Sequence, residues 1–239
     1  MTTTLYLDDS YQKECTAVVR EVKEDNVIIL DQTVFYPFSG GQANDTGTLT
    51  ALDGKVYTVT DVRKAEDEIL HTLKEPHNLK LGDNVRCIID WNRRYTLMRM
   101  HTAAHLLSAL LYTDAQIMIT GNELQPEQSR VDFSLEETNV ELLKKTIEKA
   151  NELIKKSIPI KVYTLPREEA MKIPGIVKLA NALPPTITQL RIVEIQGIDI
   201  EADGGTHVKN LAEIGEIVFL KTENKGKGRK RLYYSVNPK

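Results

Sequence analysis

Short apolar runs separated by turn residues fill the first 90 residues of the chain. The runs are rich in β-branched residues and read CTAVVREV, NVIILDQ, TGTLTAL, KVYTVTDVRK, DEILHTL and NVRCIIDW. The dipeptide Asp53–Gly54 separates two of them and is a strong signal for a β-hairpin. Because many short strands joined by turns are typical of small barrels, this pattern predicts a closed or nearly closed β-barrel domain over residues 1–90.

The hydrophobic pattern becomes helical near Trp91. In the run NRRYTLMRMHTAAHLLSALLYT, apolar residues recur at positions 97, 100, 103, 104, 107, 110 and 111, which is a helical period. A second helix is predicted from about Glu136 to Lys156, because Ser134 and Glu137 form a capping-box signature at its start.

Strand patterns return after this second helix. IKVYTL at residues 160–165 predicts a strand, and Pro166 opens a short helix that runs through Met171. Further strands are predicted by the runs QLRIVEI, IGEIVFLKT and RLYYSV. Residues 91–239 therefore predict an α+β domain in which helices pack on one face of an antiparallel sheet.

Composition restricts the class of protein. The chain has 239 residues, of which 41% are hydrophobic and 27% are charged, as in globular proteins with a core. It has neither the apolar run of about 18 residues that spans a membrane nor the N-terminal pattern of a secretory signal. Cys15 and Cys87 are too few for a disulfide scaffold, so we expect buried thiols in a cytoplasmic protein with no membrane partner.

One segment concentrates positive charge, although the net charge of the chain is −3. Residues 221–231, KTENKGKGRKR, hold six basic residues and one acidic residue. Such a run is usually a solvated loop. Because a strand-like run follows it, the segment also fits a basic β-hairpin that contacts phosphate groups.

Histidines are placed where they can bind a metal ion. His101 and His105 lie four residues apart on the predicted helix, so their side chains share a face with Cβ atoms about 6 Å apart. Two imidazoles in that arrangement can reach one zinc ion, and a buried helix face with two histidines needs polar partners. His207 and Asp203 are a third and a fourth candidate ligand. Between them, Gly204 and Gly205 predict a tight bend that uses positive φ.

These motifs resemble those of a known family. HTAAHLL followed far downstream by DGGTHVKNLAEIG is similar to the editing domain of alanyl-tRNA synthetase and to the free-standing AlaX editing proteins of medium length. FYPFSGGQANDTGTL at residues 35–49 resembles the glycine-rich motif of that family, and NKGKGRKRLYYSV resembles its C-terminal end. The resemblance covers nearly the whole chain, with the motifs in the same order.

The resemblance implies an aminoacyl-tRNA deacylase that acts on mischarged tRNA(Ala). Its substrate would be Ser-tRNA(Ala) and, in some members, Gly-tRNA(Ala). The implied zinc ligands are His101, His105 and His207. The family usually has cysteine where this chain has Asp203, so Asp203 either binds zinc directly or orients the ligands around it.

Further residues acquire expected roles from the same resemblance. Gln42 would hydrogen-bond the attacking water or the ester carbonyl, and Thr120 would sense the seryl hydroxyl. The remaining expected substrate contacts are with the terminal adenosine, at Gly40 and Gly41, and with tRNA phosphates, at Lys227, Arg229 and Arg231.

Two other functions fit parts of the same pattern. A serine-editing domain like that of threonyl-tRNA synthetase shares the paired helical histidines and the late histidine, but lacks the SGGQ loop. A non-catalytic tRNA-binding module with a structural zinc would have a closed site with four ligands.

Overall fold

The computed structural model describes residues 1–24, 26–136, 139–174, 176, 187–226 and 228–237. The chain forms two compact units, Met1–Leu97 and Met98–Lys239. The predicted α+β class is confirmed, since a closed β-barrel comes first and antiparallel sheets with helices follow. Within the described ranges, every helix is too short or too polar to cross a membrane.

The first unit is built almost entirely of strands. Its elements are β1 (Thr3–Thr4), α1 (Leu5–Asp8), β2 (Glu14–Val22), β3 (Val27–Leu30), β4 (Gln32–Thr33), β5 (Gly47–Ala51), β6 (Val56–Ala65), β7 (Glu68–Leu73) and β8 (Asn84–Ile89). The barrel closes in the order β2-β3-β7-β6-β5-β8, and every pair in it is antiparallel. Closure leaves these strands without a free edge.

Alternating side chains fill the barrel. Val85, Cys87 and Ile89 of β8 point into the core, whereas the residues between them are more exposed. Both cysteines are free thiols; Cys87 is buried as expected, whereas Cys15 on the facing strand is only partly buried against this core. The predicted hairpin at Asp53–Gly54 joins β5 to β6.

His71 is a titratable group inside the barrel. Its ring on β7 is fully buried, and its Nε2 lies 2.9 Å from the Thr33 hydroxyl. Burial lowers the pKa of His71 to about 4. The folded protein therefore holds this imidazole in its neutral form at neutral pH.

We expect His71 to make the protein sensitive to mild acid. The folded-state pKa lies below the unfolded value of 6.5, so the unfolded chain binds the extra proton first. Stability is fully present above pH 6.5 and is lost as the pH falls towards 4, by about 2 kcal/mol between pH 8 and pH 5. Urea denaturation of wild type and His71→Leu at both pH values measures this loss. The loss of unfolding free energy between pH 8 and pH 5 should be smaller in His71→Leu by that amount. His77→Leu, which alters a less buried histidine of the same unit, should keep most of the loss seen in wild type.

A long helix, α2 (Trp91–Ala115), leads into the second unit. The other elements of that unit are β9 (Ile119–Glu123), β10 (Ser129–Phe133), α3 (Val140–Ile154), β11 (Ile160–Pro166), α4 (Arg167–Ala170), β12 (Gln189–Ile195), β13 (Asp199–Ala202), a 3₁₀ helix (Leu211–Ile214), β14 (Glu216–Asn224) and β15 (Lys230–Asn237). From Leu97 to Leu111, every residue of α2 is buried, as its apolar sequence predicts.

The antiparallel strands of the second unit form two sheets where the sequence predicts one. Among the described residues, one sheet has the order β14-β15-β10-β9 and the other has the order β11-β12-β13. Helix α3 lies against β14, where the Asn151 amide bonds both the N–H and the C=O of Ile217 at 2.9 Å. The expected packing of a helix on an antiparallel sheet is therefore present.

The predicted capping box is wrong. Helix α3 begins at Val140, and the Asn139 side chain accepts a hydrogen bond from the Leu142 N–H at 2.9 Å. The Ser134 hydroxyl instead contacts the backbone of Met118, with its oxygen 3.1 Å from the Met118 nitrogen. Glu137 lies outside the described residues. Asparagine caps a helix as well as serine does, and Asn139 lies directly before the first helical residue.

Candidate metal centre

Helix α2 presents two of the predicted histidines on one buried face. His101 is 2% exposed and His105 is 8% exposed, and their ring centroids are 5.1 Å apart. The i, i+4 spacing on a straight helix produces this pair, as the sequence predicts.

The segment after β13 brings the other two candidates to the same point. His207 places its ring centroid 4.3 Å from that of His101 and 4.7 Å from that of His105. Nitrogen and oxygen atoms of these three histidines and Asp203 all lie within 4.8 Å of one another. Two pairs of residues that lie about 100 positions apart in the sequence thus form one cluster.

Asp203 is turned into the cluster. Its Oδ2 lies 3.0 Å from His207 Nε2 and accepts a hydrogen bond from the Gly205 N–H at 2.6 Å. Its Oδ1 lies 3.7 Å from His101 Nε2. The same carboxylate therefore holds the turn and faces two histidines.

Thr102 determines which nitrogen of His207 carries a proton. The Thr102 hydroxyl donates to the carbonyl of Met98 at 2.9 Å, since a carbonyl can only accept. Its oxygen must then accept from His207 Nδ1, which lies 3.1 Å away. Nδ1 of His207 is therefore the N–H, and Nε2 presents a lone pair to the cluster.

That tautomer places two electron-rich atoms face to face. The Nε2 lone pair of His207 is only 3.0 Å from a carboxylate oxygen of Asp203, which is unfavourable without a cation. Burial lowers the pKa of His207 to about 4, so a proton does not occupy this position at neutral pH. Two ligands of one tetrahedral ion, each about 2.0–2.1 Å from it, are about 3.3 Å apart, which is close to the observed spacing. The residues present thus fit a metal ion.

Charge in the cluster is unevenly distributed. Burial lowers the pKa of His101 well below its usual value, although Asp203 opposes this shift. For Asp203, burial acts to raise the pKa, but the surrounding histidines lower it well below the usual range. The carboxylate is therefore ionised and the imidazole of His101 is neutral at neutral pH, which are the forms that bind a metal.

The glycines of the bend act differently from the prediction. Neither Gly204 nor Gly205 is among the residues with positive φ, so the predicted backbone reason is wrong. A Cβ on Gly205 would instead overlap the imidazole of His101 and come within 3.0 Å of Asp203 Oδ2. At Gly204 a Cβ would meet nothing within 4 Å. Gly205 is needed because the chain passes directly over the ring of His101.

The glycine-rich loop of the first unit is a tight turn. Ser39 and Gln42 bond each other's backbones at 2.9 and 3.2 Å, and Gly40 and Gly41 between them have φ values of 58° and 82°. Gln42 is fully buried. Glycines are required here because both turn positions are left-handed.

A buried arginine anchors that loop within the first unit. The Asp45 carboxylate accepts from the Tyr36 N–H at 2.6 Å and pairs with Arg94, which is itself fully buried. The arginine also donates to the carbonyls of Ser10 and Val34. The two ends of the FYPFSGGQAND segment are thereby held together, which fixes the base of the turn.

Thr120 lies on β9 and is exposed. The register between β9 and β10 shifts at this point, because Ile119 pairs with Phe133 and Gly121 pairs with Asp132. Thr120 is thus the extra residue of a β-bulge, a feature that redirects side chains near sites. Its expected role towards a seryl hydroxyl stays a prediction.

The basic segment forms the predicted hairpin between β14 and β15. Arg229 is exposed at its turn, and Lys227 lies outside the described residues. Arg231 donates to both oxygens of Asp132 at 2.7 and 2.9 Å, and its neighbour Lys230 is buried. The described cations of the run therefore divide into an exposed group and a group that holds the sheet together.

Three residues of the site were missed by sequence reasoning. Thr102 lies between the paired histidines, and Asp199 and Glu201 on β13 approach His105. The run DIEAD, residues 199–203, carries a signal for two of them, since its carboxylates recur with the period of two that places them on one face of a strand. No sequence pattern marks a threonine as a partner of a histidine about 100 residues away.

Comparisons with known proteins agree with this architecture. Residues 4–93 match the family described as tRNA synthetases class II (A), and residues 190–233 match the threonyl and alanyl tRNA synthetase second additional domain. The second match includes Asp203 and His207.

Full-length relatives are also found. The chain is 54% identical to the alanyl-tRNA editing protein AlaX-M of Saccharolobus solfataricus over 100% of both chains. It is 44% identical to the protein of the same name from Methanosarcina barkeri over 99% of both. It is 39% identical to an alanine–tRNA ligase of Saccharolobus islandicus, with 98% of this chain matched to 26% of the ligase.

Proposed function

Because the chain belongs to the AlaX-M family of alanyl-tRNA editing proteins, we propose that it is a trans-editing hydrolase that deacylates mischarged Ser-tRNA(Ala) in the cytoplasm. Gly-tRNA(Ala) is proposed as a second substrate. The observation that carries this proposal is the buried cluster of three histidines and Asp203, which lies in a chain related to these editing proteins over its full length.

Separate editing has a physical reason. The aminoacylation pocket of a synthetase that accepts alanine cannot strongly exclude the smaller glycine, and serine differs from alanine by one hydroxyl group. A second site can read that hydroxyl by hydrogen bonding and reject the analogue that lacks it. The residues of this second site must therefore include a group that recognises a hydroxyl.

The metal of the cluster is proposed to be zinc, held by His101, His105, His207 and Asp203. Three imidazoles and a carboxylate are a donor set that suits zinc. Zinc held by these residues would supply Lewis-acid chemistry to the attacking water or to the polar groups of the substrate. Thr102 holds the ligand tautomer of His207, and Gly205 leaves room for the ring of His101.

The proposed substrate contacts extend to other parts of the chain. Gln42 is proposed to hydrogen-bond the attacking water or the ester carbonyl, and Thr120 to bond the seryl hydroxyl. The left-handed turn at Gly40 and Gly41 exposes backbone without side chains, which suits close approach of the terminal adenosine.

A non-catalytic tRNA-binding module with a structural zinc is the second candidate. The observation that favours it is the number of donors, since a cluster of four protein ligands can close a tetrahedral site. A serine-editing domain of the threonyl type receives less support, because the relatives that match over the full length are alanyl-tRNA editing proteins.

Deacylation of three substrates tests the proposal. Purified protein with its native metal should hydrolyse Ser-tRNA(Ala) at least about tenfold faster than Ala-tRNA(Ala), since a hydroxyl-reading site discriminates strongly. Gly-tRNA(Ala) assayed in parallel gives the preference between the two errors. Zinc at one equivalent without any deacylation would favour the structural module, and equal rates on seryl and alanyl esters would contradict editing.

The basic run at residues 221–231 is expected to contribute affinity for tRNA without affecting amino-acid choice. Phosphate contacts position a nucleic acid and do not specify it, and each one contributes roughly one unit to the salt dependence of binding. Lys227→Ala combined with Arg229→Ala should weaken tRNA(Ala) binding and lower the slope by up to about two units. The ratio of seryl to alanyl hydrolysis should stay constant.

A matched control separates this effect from general charge. Lys145→Ala removes an exposed cation from α3, where its side chain is 69% exposed, and should leave the slope unchanged. Arg231 is less suitable for this test, because its loss would also break the pair with Asp132. An altered hydrolysis ratio in the Lys227 and Arg229 variant would place the hairpin at the amino-acid pocket.

A further inference from the structure

His105 has two buried carboxylates behind it. Its Nδ1 lies 3.3 Å from Asp199 Oδ2 and 3.6 Å from Glu201 Oε2. The side chains of Asp199 and Glu201 are only 3% and 13% exposed. These contacts are on the far side of the imidazole from its Nε2.

The strand β13 creates this arrangement. Asp199 and Glu201 are two residues apart on the strand, so their side chains point to the same side, towards α2. The alternation continues into Asp203, which belongs to the cluster itself. A single extended segment therefore supplies one carboxylate to the cluster and two to the outer edge of one of its histidines.

The carboxylates determine the state of the His105 ring. Nδ1, which faces two negative oxygens, is the nitrogen that keeps a proton. Nε2 is then the atom available to a metal.

We propose that Asp199 and Glu201 are positioning residues that hold His105 as a metal ligand through Nε2 and increase its electron donation. This inference rests on the proposed metal site. A carboxylate behind a histidine fixes the ring and its tautomer and makes the other nitrogen a stronger donor. His207 has the neutral Thr102 hydroxyl in the corresponding place, so the two negative charges are concentrated on His105.

The pair also compensates for the ligand set of this chain. Asp203 is the fourth member of the cluster, and a carboxylate is a harder and weaker zinc ligand than a thiolate. Two carboxylates that make His105 a stronger electron donor restore part of the zinc affinity that a carboxylate ligand lacks.

Neutral isosteres test this role. Asp199→Asn, Glu201→Gln and the double variant keep the shape of the side chains and remove the charge. Zinc affinity is measured for each by competition with a chelator at fixed pH, and the Co²⁺-substituted proteins are compared by visible absorption. Each single variant should bind zinc about 10–100-fold more weakly than wild type, with a shifted Co²⁺ spectrum. Glu194→Gln is the matched control, since Glu194 lies on the neighbouring β12 and bonds the Tyr163 hydroxyl at 3.1 Å.

Several outcomes would overturn the inference. Zinc affinity within twofold of wild type in the double variant would do so, and so would an equal loss in Glu194→Gln. Two equivalents of tightly bound metal in wild type would mean that His105, Asp199 and Glu201 form a separate metal site. Thermal unfolding with chelator present checks that each variant is folded. If Asp199→Asn does not fold, Glu201→Gln alone decides, because that residue is the more exposed of the two.

Failure of this inference is distinguishable from failure of the proposed function. Wild type that binds no zinc would remove the metal site itself. Wild type that binds zinc and hydrolyses Ser-tRNA(Ala), with variants of unchanged affinity, would leave the function in place and remove only the role of the two carboxylates.

Discussion

Gly205→Ala is expected to abolish metal binding in a protein that otherwise keeps its fold. The added Cβ would occupy the space of the His101 ring. His101 is 2% exposed and packed on a buried helix, so its ring cannot move aside without leaving the metal position. Displacement of a reacting group by about 1 Å costs about 100-fold in rate. Loss of a metal ligand also lowers the affinity for the metal. Zinc stoichiometry and single-turnover deacylation of Ser-tRNA(Ala) measure the two effects.

Gly204→Ala is the matched control for this prediction. It introduces the same methyl group one residue earlier, where a Cβ meets nothing within 4 Å and φ is not positive. This variant should keep one equivalent of zinc and nearly the rate of wild type. Equal behaviour of the two variants would show that space at the His101 ring is not the reason for glycine at position 205.

The barrel and the long helix are predictable because their signals are local. A period of two over each barrel strand and a period of 3.6 along α2 depend only on which side chains face the core. The strand β12 was predicted with its observed limits, Gln189–Ile195, for the same reason. In contrast, β10 and β13 carry polar sequences, SRVDF and DIEA, and were missed. These strands form because they pair with neighbouring strands. The partner β15 is about 100 residues from β10, so a local pattern does not show the pairing.

The cluster was predictable in its members but not in its construction. The spacing of His101 and His105 and the resemblance around His207 indicate the members of the cluster directly. What supports those ligands depends on contacts between distant segments, such as the Thr102 hydroxyl with His207. The need for glycine at position 205 is of the same kind, since a side chain there would overlap the ring of His101, which another element supplies. Steric and hydrogen-bond requirements of this type appear only when the chain has folded.

Asp203→Ala is expected to remove the metal or to weaken its binding by more than about 100-fold. Outer partners of metal ligands contribute about 10–100-fold, so a larger loss would indicate a direct ligand. The contacts of its two oxygens with His207 and His101 favour direct binding. Asp203→Cys should then retain zinc, because a thiolate is a stronger zinc ligand than a carboxylate.

Asp203→Asn separates the charge of this residue from its role in the turn. An amide oxygen can still accept the hydrogen bond from the Gly205 N–H, but it carries no charge towards the histidines. If the turn were the only role, this variant would keep both the metal and the rate. If Asp203 only oriented a histidine, the Ala variant would keep one equivalent of zinc and lose rate. We expect instead that Ala and Asn variants both bind zinc poorly while the Cys variant binds it well, measured as zinc stoichiometry after dialysis against a weak chelator. Unchanged stoichiometry in Asp203→Ala would show that three histidines hold the ion without it.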